Sequence, residues 1–199
     1  MKEALKRGKG VLALGSHVGH FLLLICVLSH RGYPFSFIFK EPNEKGFNEL
    51  LWDIMKDLKL DPIPLKPRSK ATKRSISTLR KNGILWLALD QGTRDADVGV
   101  EFFGIKTATA RGPAVLSTRT GAVVLPMYVK RSGWLKHKVI IGKPVDLEIT
   151  DDKEADIYNN LKKFNSVIEN EIMTNPEEWW WLHNRWKRSY KYQEVDMIE

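Results

Sequence analysis

Cysteine is almost missing from the 199 residues: Cys26 stands alone, so no internal disulfide can form and a reducing compartment fits. It lies in the most apolar stretch of the chain, where a free cysteine packs as a small hydrophobe rather than acting as a nucleophile. Long hydrophobic runs are missing too. The longest, Phe21 to Leu28, falls far short of the roughly 20 residues a spanning helix needs, so no transmembrane segment is expected. The start, MKEALKRGKG, is basic but leads into a strand-like run, without the apolar core and small-residue cleavage site of a secretory signal, and export is not expected. No internal repeat or low-complexity linker breaks the chain, which points to a single domain over residues 1–199. The histidines His17, His20, His30, His137 and His183 lack ligand spacing with acids or thiols, and no metal site is expected.

What is present is apolar content of 43%, enough for one sizeable core, and a formal charge of +8 with a pI of about 9.5. That charge attracts acidic partners: nucleic acid, an anionic membrane or an acidic carrier protein. It does not choose among them.

The stretch VLALGSHVGHFLLL, residues 11–24, organises the rest because its periodicity changes at a histidine. Val11 to Leu14 suits a buried strand and Phe21 to about His30 a helix, with Gly15, Ser16, His17, Val18 and Gly19 between them. In an open α/β sheet such a turn sits at the carboxyl edge, where ligands bind. His17 is then either a catalytic group aimed at a cleft or a helix-start histidine with an ordinary partner. Further strands are expected at 35–39, at 62–65 (an edge strand, because of its prolines), at 84–89, at 123–130 and at 136–141. Helices are expected at 48–58, 66–81, 112–121 and 153–173, the second of them strongly basic. Residues from Arg94 to Pro113 show little regular structure, and so long a loop in a compact domain is more often functional than idle. Strands alternating with helices give the fold class: α/β, a three-layer αβα sandwich with a largely parallel central sheet.

Two of these strands end in polar residues, one at His17 and one at Asp90. If they are parallel neighbours, both open onto one crevice, and the carboxylate can fix the imidazole tautomer and stabilise the imidazolium formed on proton abstraction. Gly92, Thr93 and Arg94 add a tight turn, a hydroxyl and a forked cation suited to a phosphate, or else form a surface turn with a solvated arginine. In the C-terminal segment 176–192, Trp179, Trp180, Trp181, Leu182, Trp186 and Tyr190 alternate with Arg185, Lys187 and Arg188. The rings either close the core or, beside cations, favour a lipid headgroup layer. A nucleic-acid stacking platform would line an exposed strand face. These aromatics read as a helical tail, so nucleic acid is not expected as a partner.

The ordered segments GVLALGSHVGHF, ILWLALDQGTR, EFFGIKTATARGPAVLSTRTGAVVLPMYVKR and PEEWWWLHNRWK resemble the bacterial lipid A biosynthesis acyltransferases over about residues 5 to 188. DQGTR is also similar to the E-G-T-R block of the wider glycerolipid acyltransferases, with Gln91 in the place of the glutamate. The resemblance implies transfer of a fatty acyl chain from an acyl carrier protein or coenzyme A thioester to a hydroxyl of a lipid A precursor, a related glycolipid or a lysophospholipid. It makes His17 the general base and Asp90 its partner in the site. It gives Lys40, Gln91, Gly92, Thr93, Arg94 and Gly112 to substrate binding, with main-chain N–H groups after Val18 as oxyanion donors. No cofactor is implied beyond the acyl-thioester co-substrate, and no covalent acyl-enzyme is needed. Relatives usually begin with a membrane-anchoring helix absent from these residues, so attachment is expected to be peripheral, on the cytoplasmic face of the inner membrane.

The sequence departs from the family at one informative place. The family motif H-x-x-x-x-[DE] calls for an acid five residues after the histidine, and Leu22 stands there. Asp90 is the replacement the chain offers; His20 is a weaker one, since a second imidazole gives less electrostatic support than a carboxylate. If neither serves, the chain is a relative that binds lipid or acyl carrier protein without turnover.

Overall fold

A computed structural model describes residues 1–92 and 98–189. Six strands form one sheet in the order β3-β2-β4-β1-β7-β8: β1 (Val11–Gly15), β2 (Phe35–Phe39), β3 (Asp61–Pro64), β4 (Ile84–Ala88), β7 (Val123–Gly133) and β8 (Lys136–Ile141). The first five run parallel, and β8 returns antiparallel to β7 as an edge hairpin. The helices are α1 (Lys2–Lys6) ahead of β1, then α2 (Phe21–His30), α3 (Lys45–Asp57), α4 (Arg68–Arg80) and α5 (Gly112–Thr120) between strands, and α6 (Lys153–Thr174) after β8. The proline-bearing β3 is at the edge, as its missing amide donors require.

The alternation along β1 shows how the layers form. Leu12 and Leu14 pack into a cluster with Ala71 and Leu79 of α4, Ala114 and Leu116 of α5, and Ile157, Leu161, Phe164 and Ile168 of α6. Val11 and Ala13 point the other way, into a cluster with Ala4 of α1, Leu24, Ile25 and Leu28 of α2, and Met55 of α3. The sheet is therefore covered on both faces, which is why β1 and β4 are continuously apolar rather than alternating. The three-layer αβα arrangement follows.

Most expected elements are present within a residue or two. Helix α3 begins three residues earlier than its apolar spacing predicts, because the Glu44 side chain accepts from the amides of Gly46 and Phe47 and caps it there. Two expectations fail. The stretch expected to be irregular holds an antiparallel hairpin, β5 (Val98–Phe102) with β6 (Ile105–Thr109), in a separate two-stranded sheet. Its two-residue turn, Phe103-Gly104, has φ of 50° and 74°, a left-handed pair suited to hairpins. Phenylalanine is an uncommon choice for such a turn. Here its ring lies against Phe102 at 5.0 Å and its amide donates to Glu169.

The second failure is the C-terminal segment. It is not a helical tail: after a single 3-10 turn at Pro176–Glu178, Trp179 forms an isolated antiparallel bridge with Val18, and turns follow. The rings therefore divide between duties. Trp179 is buried, while Trp180, Trp181 and Leu182 are exposed. Arg185, one of the cations that alternate with these rings, is buried as well.

Candidate active site

Strands β1 and β4 are parallel neighbours with Gly15 paired to Ala88. Two residues beyond that last pair, the chain reaches His17 on one strand and Asp90 on the other. The register alone brings them side by side. His17 Nδ1 lies 2.9 Å from Asp90 Oδ1, and the His17 main-chain N–H donates to Asp90 Oδ2, also at 2.9 Å. A third donor, Trp179 Nε1, reaches Oδ2 at 2.9 Å.

The electrostatics of Asp90 are a contest. Its side chain is 1% exposed, and burial pushes its pKa up. The His17 side chain and amide and the Trp179 indole outweigh that, holding the carboxyl below its ordinary value. An ionised carboxylate accepts only, so in the neutral ring Nδ1 carries the proton and Nε2 the lone pair. The ring remains 21% exposed. Phe21 meets it edge-on at 4.8 Å and Trp86 at 6.2 Å, the latter two rings stacked on each other 5.9 Å apart.

Two glycines make this geometry accessible. A Cβ at Gly15 would come within 2.2 Å of Trp86 Nε1, so the indole lies across the strand end only because position 15 has no side chain. Gly19 has φ of 58°, and a Cβ there would strike the Val129 carbonyl and the Glu178 carboxylate. Its amide donates to Glu178 O, and Trp180 N–H donates to His17 O. The C-terminal segment is thus sewn onto the histidine turn.

The same segment fixes the loop after β4. Gly92 N–H donates to His183 Nε2 at 3.0 Å, and burial lowers the pKa of His183, with Asp90 opposing, so it stays neutral and able to accept. Arg185 donates to Ala108 O at 2.6 Å and Thr109 Oγ1 at 2.9 Å, with its guanidinium 4.8 Å from the centroid of Phe102. Burial pulls its pKa down to about 10, while Asp90 and Glu169 pull the other way. It stays charged at neutral pH and pins the β5–β6 hairpin beneath the site.

Of the residues expected to carry the chemistry, His17 and Asp90 are in direct contact. Lys40 follows β2, the strand beyond β4, and ends exposed on the same carboxyl edge. Gln91 and Gly92 are half-buried beside Asp90, and Gly112 opens α5 just ahead of Pro113. Thr93 and Arg94 lie outside the described residues, as does Tyr190. His20 turns away to pack its ring on His137 at 4.7 Å. Leu22 is 62% exposed on α2. Trp179, His183 and Arg185 were missed as parts of the site; the only signal for them was the density of tryptophan and cations, which does not say which of them turn inward. Two grooves of about 430 and 470 Å³ occur elsewhere, one between α2 and β8 and one beside α1, and neither is lined by His17.

Residues 1–188 match the family described as bacterial lipid A biosynthesis acyltransferase. The chain belongs to that family. Among curated relatives, it is similar to the lipid A biosynthesis palmitoleoyltransferase of Escherichia coli, 31% identical over 115 residues that make up 56% of this chain and 36% of that protein. The lipid A biosynthesis lauroyltransferase of the same organism is 32% identical over 122 residues, 59% of this chain and 38% of that one. The phosphatidylinositol mannoside acyltransferase of Mycobacterium tuberculosis is 24% identical over 189 residues, 94% of this chain and 57% of its own. The chain therefore spans little more than a third of the Escherichia coli acyltransferases it matches. In this member of the lipid A acyltransferase family, the carboxylate on His17 Nδ1 comes from the end of β4.

Proposed function

We propose that this chain transfers a fatty acyl group from a thioester to a hydroxyl of a lipid A-type glycolipid, with His17 as general base. The observation that carries this is the His17–Asp90 pair. Asp90 holds the proton on Nδ1, and Nε2 takes the proton of the acceptor hydroxyl as that oxygen attacks the thioester carbonyl. The tetrahedral oxyanion forms near the first turn of α2, whose opening amides lack intrahelical acceptors and are suited to receive it. The intermediate collapses with cleavage of the carbon–sulfur bond, and the imidazolium returns its proton to the leaving thiolate. Asp90 stabilises the imidazolium in between. No covalent bond to the enzyme is required.

The donor is an acyl carrier protein thioester. Such a carrier is acidic, and α4 presents Lys70, Lys73 and Arg80 on an exposed face with no acid in the helix. Lys40, Arg94 and the start of α5 at Gly112 hold the anionic groups of the acceptor. The acceptor is a membrane glycolipid, and the protein attaches peripherally to the cytoplasmic face of the inner membrane. Among the described residues no helix is long and apolar enough to cross a bilayer.

The test is acyl transfer from an acyl carrier protein thioester to a lipid A precursor by purified protein, alongside His17→Ala. The expected result is a loss of about 10³-fold or more in kcat in the variant. Equal rates would remove His17 as the base, and absence of transfer by the unmodified chain would favour a lipid- or carrier-binding role.

A further inference from the structure

The β7–β8 hairpin does not stop at the sheet's edge. Leu14 is paired with Pro126, and the register carried three residues further sets Val129 level with His17; the crowding of Gly19 against the Val129 carbonyl agrees. Strand β7 continues to Gly133 before the chain reverses through Trp134 and Leu135. At about 3.3 Å per residue, Trp134 stands about 16 Å beyond the level of the histidine, on the carboxyl-edge side.

The tip carries a chemistry that water does not favour. Trp134 is 81% exposed and Leu135 79%, with nothing packed over them among the described residues. The stalk beneath is basic: Lys130, Arg131, Lys136 and Lys138 lie on its two strands, and residues 130–138 contain no acid. Arg131, Lys136 and Lys138 are exposed. A second exposed apolar group, Trp180, Trp181 and Leu182, sits at the same edge, tied to the histidine turn through the bond from Trp180 N–H to His17 O.

We propose that Trp134 and Leu135, on their basic stalk, form a wedge that enters an anionic bilayer and turns the His17 edge of the sheet toward the membrane surface. A tryptophan and a leucine above a ring of cations match the interfacial layer, apolar inside and anionic outside. Two residues are too few for a protein interface, which needs about 800 Å² on each side; a bilayer accepts a wedge of this size. The geometry also orients the molecule. With the tip inserted, the nucleophile of a membrane-resident acceptor reaches His17 from the lipid side, while the donor-facing helix α4 remains in water. The choice of a lipid surface rests on the glycolipid acceptor proposed above; the wedge itself rests on the hairpin.

Insertion is read with the full chain carrying Cys26→Ser and one environment-sensitive nitrobenzoxadiazole label. The label is placed at Leu135→Cys, at Ile54→Cys on the exposed apolar side of α3, or at Lys81→Cys on the opposite edge of the sheet. Vesicles of mixed phosphatidylglycerol and phosphatidylcholine should blue-shift and brighten the label at 135 several-fold and leave those at 54 and 81 unchanged. Trp134→Ser with Leu135→Ser should weaken vesicle retention by about tenfold or more and leave transfer to a detergent-dispersed acceptor intact. Silence at 135, or an equal or larger response at 54 or 81, overturns the proposal. The two readings fail separately. Insertion at 135 without acyl transfer removes the enzymatic reading and keeps the wedge, and acyl transfer with a silent 135 removes the wedge alone.

Discussion

Replacing Asp90 by asparagine tests the site because the three donors around the carboxylate leave the amide one way to fit. The His17 main-chain N–H and the Trp179 indole N–H both point at Oδ2, and neither donor can become an acceptor. The asparagine oxygen must therefore take the Oδ2 position, which sets its NH₂ against His17 Nδ1. Nδ1 is then forced to accept, and the ring proton moves to Nε2. The nitrogen facing the acceptor hydroxyl becomes a donor where a base is needed. A tautomer inverted in this way in a serine protease lowers kcat about 10⁴-fold, and a fall of about 10³- to 10⁴-fold, or about 4–5.5 kcal/mol of barrier, is expected for Asp90→Asn. KM should change little, since neither group holds the acyl chain. The assay is steady-state acyl transfer from an acyl carrier protein thioester, with near-ultraviolet circular dichroism to establish native packing. A natively folded variant within tenfold of the unmodified rate would refute the assignment of Asp90 as the tautomer-fixing group.

Placing an acid where the resemblance calls for one, Leu22→Glu, should leave kcat within a few-fold, because Leu22 faces solvent and Nδ1 is already occupied by Asp90; a gain of tenfold or more in the same assay would mean that Asp90 supports the ring poorly. Trp179→Phe keeps most of the ring's volume and removes one donor to a buried carboxylate, which should cost about 1.5–3 kcal/mol in urea unfolding and raise the pKa of Asp90; unchanged stability would show the indole bond to be idle. Because the native pKa of Asp90 is depressed below its unfolded value of about 3.9, its contribution to stability is present above that value and fades as pH falls toward the native one. The gap in Tm between the unmodified chain and Asp90→Asn should be widest above about pH 5 and narrow below about pH 4, and a gap independent of pH would contradict the sign of the shift. Gly15→Ala drives a methyl into the Trp86 indole and should destabilise by about 1–3 kcal/mol, with partial recovery on adding Trp86→Phe; a neutral Gly15→Ala would mean that the indole is free to move aside.

The fold was legible wherever periodicity and punctuation agreed. The apolar runs of β1 and β4 announce strands covered on both faces, and Gly121, at φ of 69°, ends α5 where a C-terminal glycine should. The β5–β6 hairpin was not legible for two reasons. Its alternation of Val98, Val100 and Phe102 is short, and its turn places a phenylalanine where sequence reasoning looks for asparagine or aspartate. The C-terminal segment was opaque for another. Nothing in WWWLHNRWK tells a reader that Trp179 and Arg185 turn inward while Trp180 and Trp181 stay outside; that is decided by a carboxylate nearly ninety residues away and by the carbonyl of Ala108. Local propensity carries no record of such partners.

On the proposed mechanism, a carboxylate can reach the histidine by either of two routes within this fold. A motif acid five residues after the histidine approaches the ring along its own helix, so its position depends on how α2 starts. Asp90 approaches from the neighbouring strand, and its position depends on the register Gly15 to Ala88, which the main-chain hydrogen bonds of a buried parallel pair enforce. The second arrangement also lets one carboxylate bind both the ring and the main-chain amide of the same histidine, fixing the backbone and the tautomer together. It needs a buried charge, and a lone buried carboxylate would be driven neutral. The tryptophan from the C-terminal segment supplies a third donor that adds to the larger contributions of His17 in lowering the pKa of Asp90, so that segment belongs to the carboxylate's setting rather than merely covering it. The His17–Asp90 pair therefore has its full set of donors only while residues 176–189 are folded back onto the first turn.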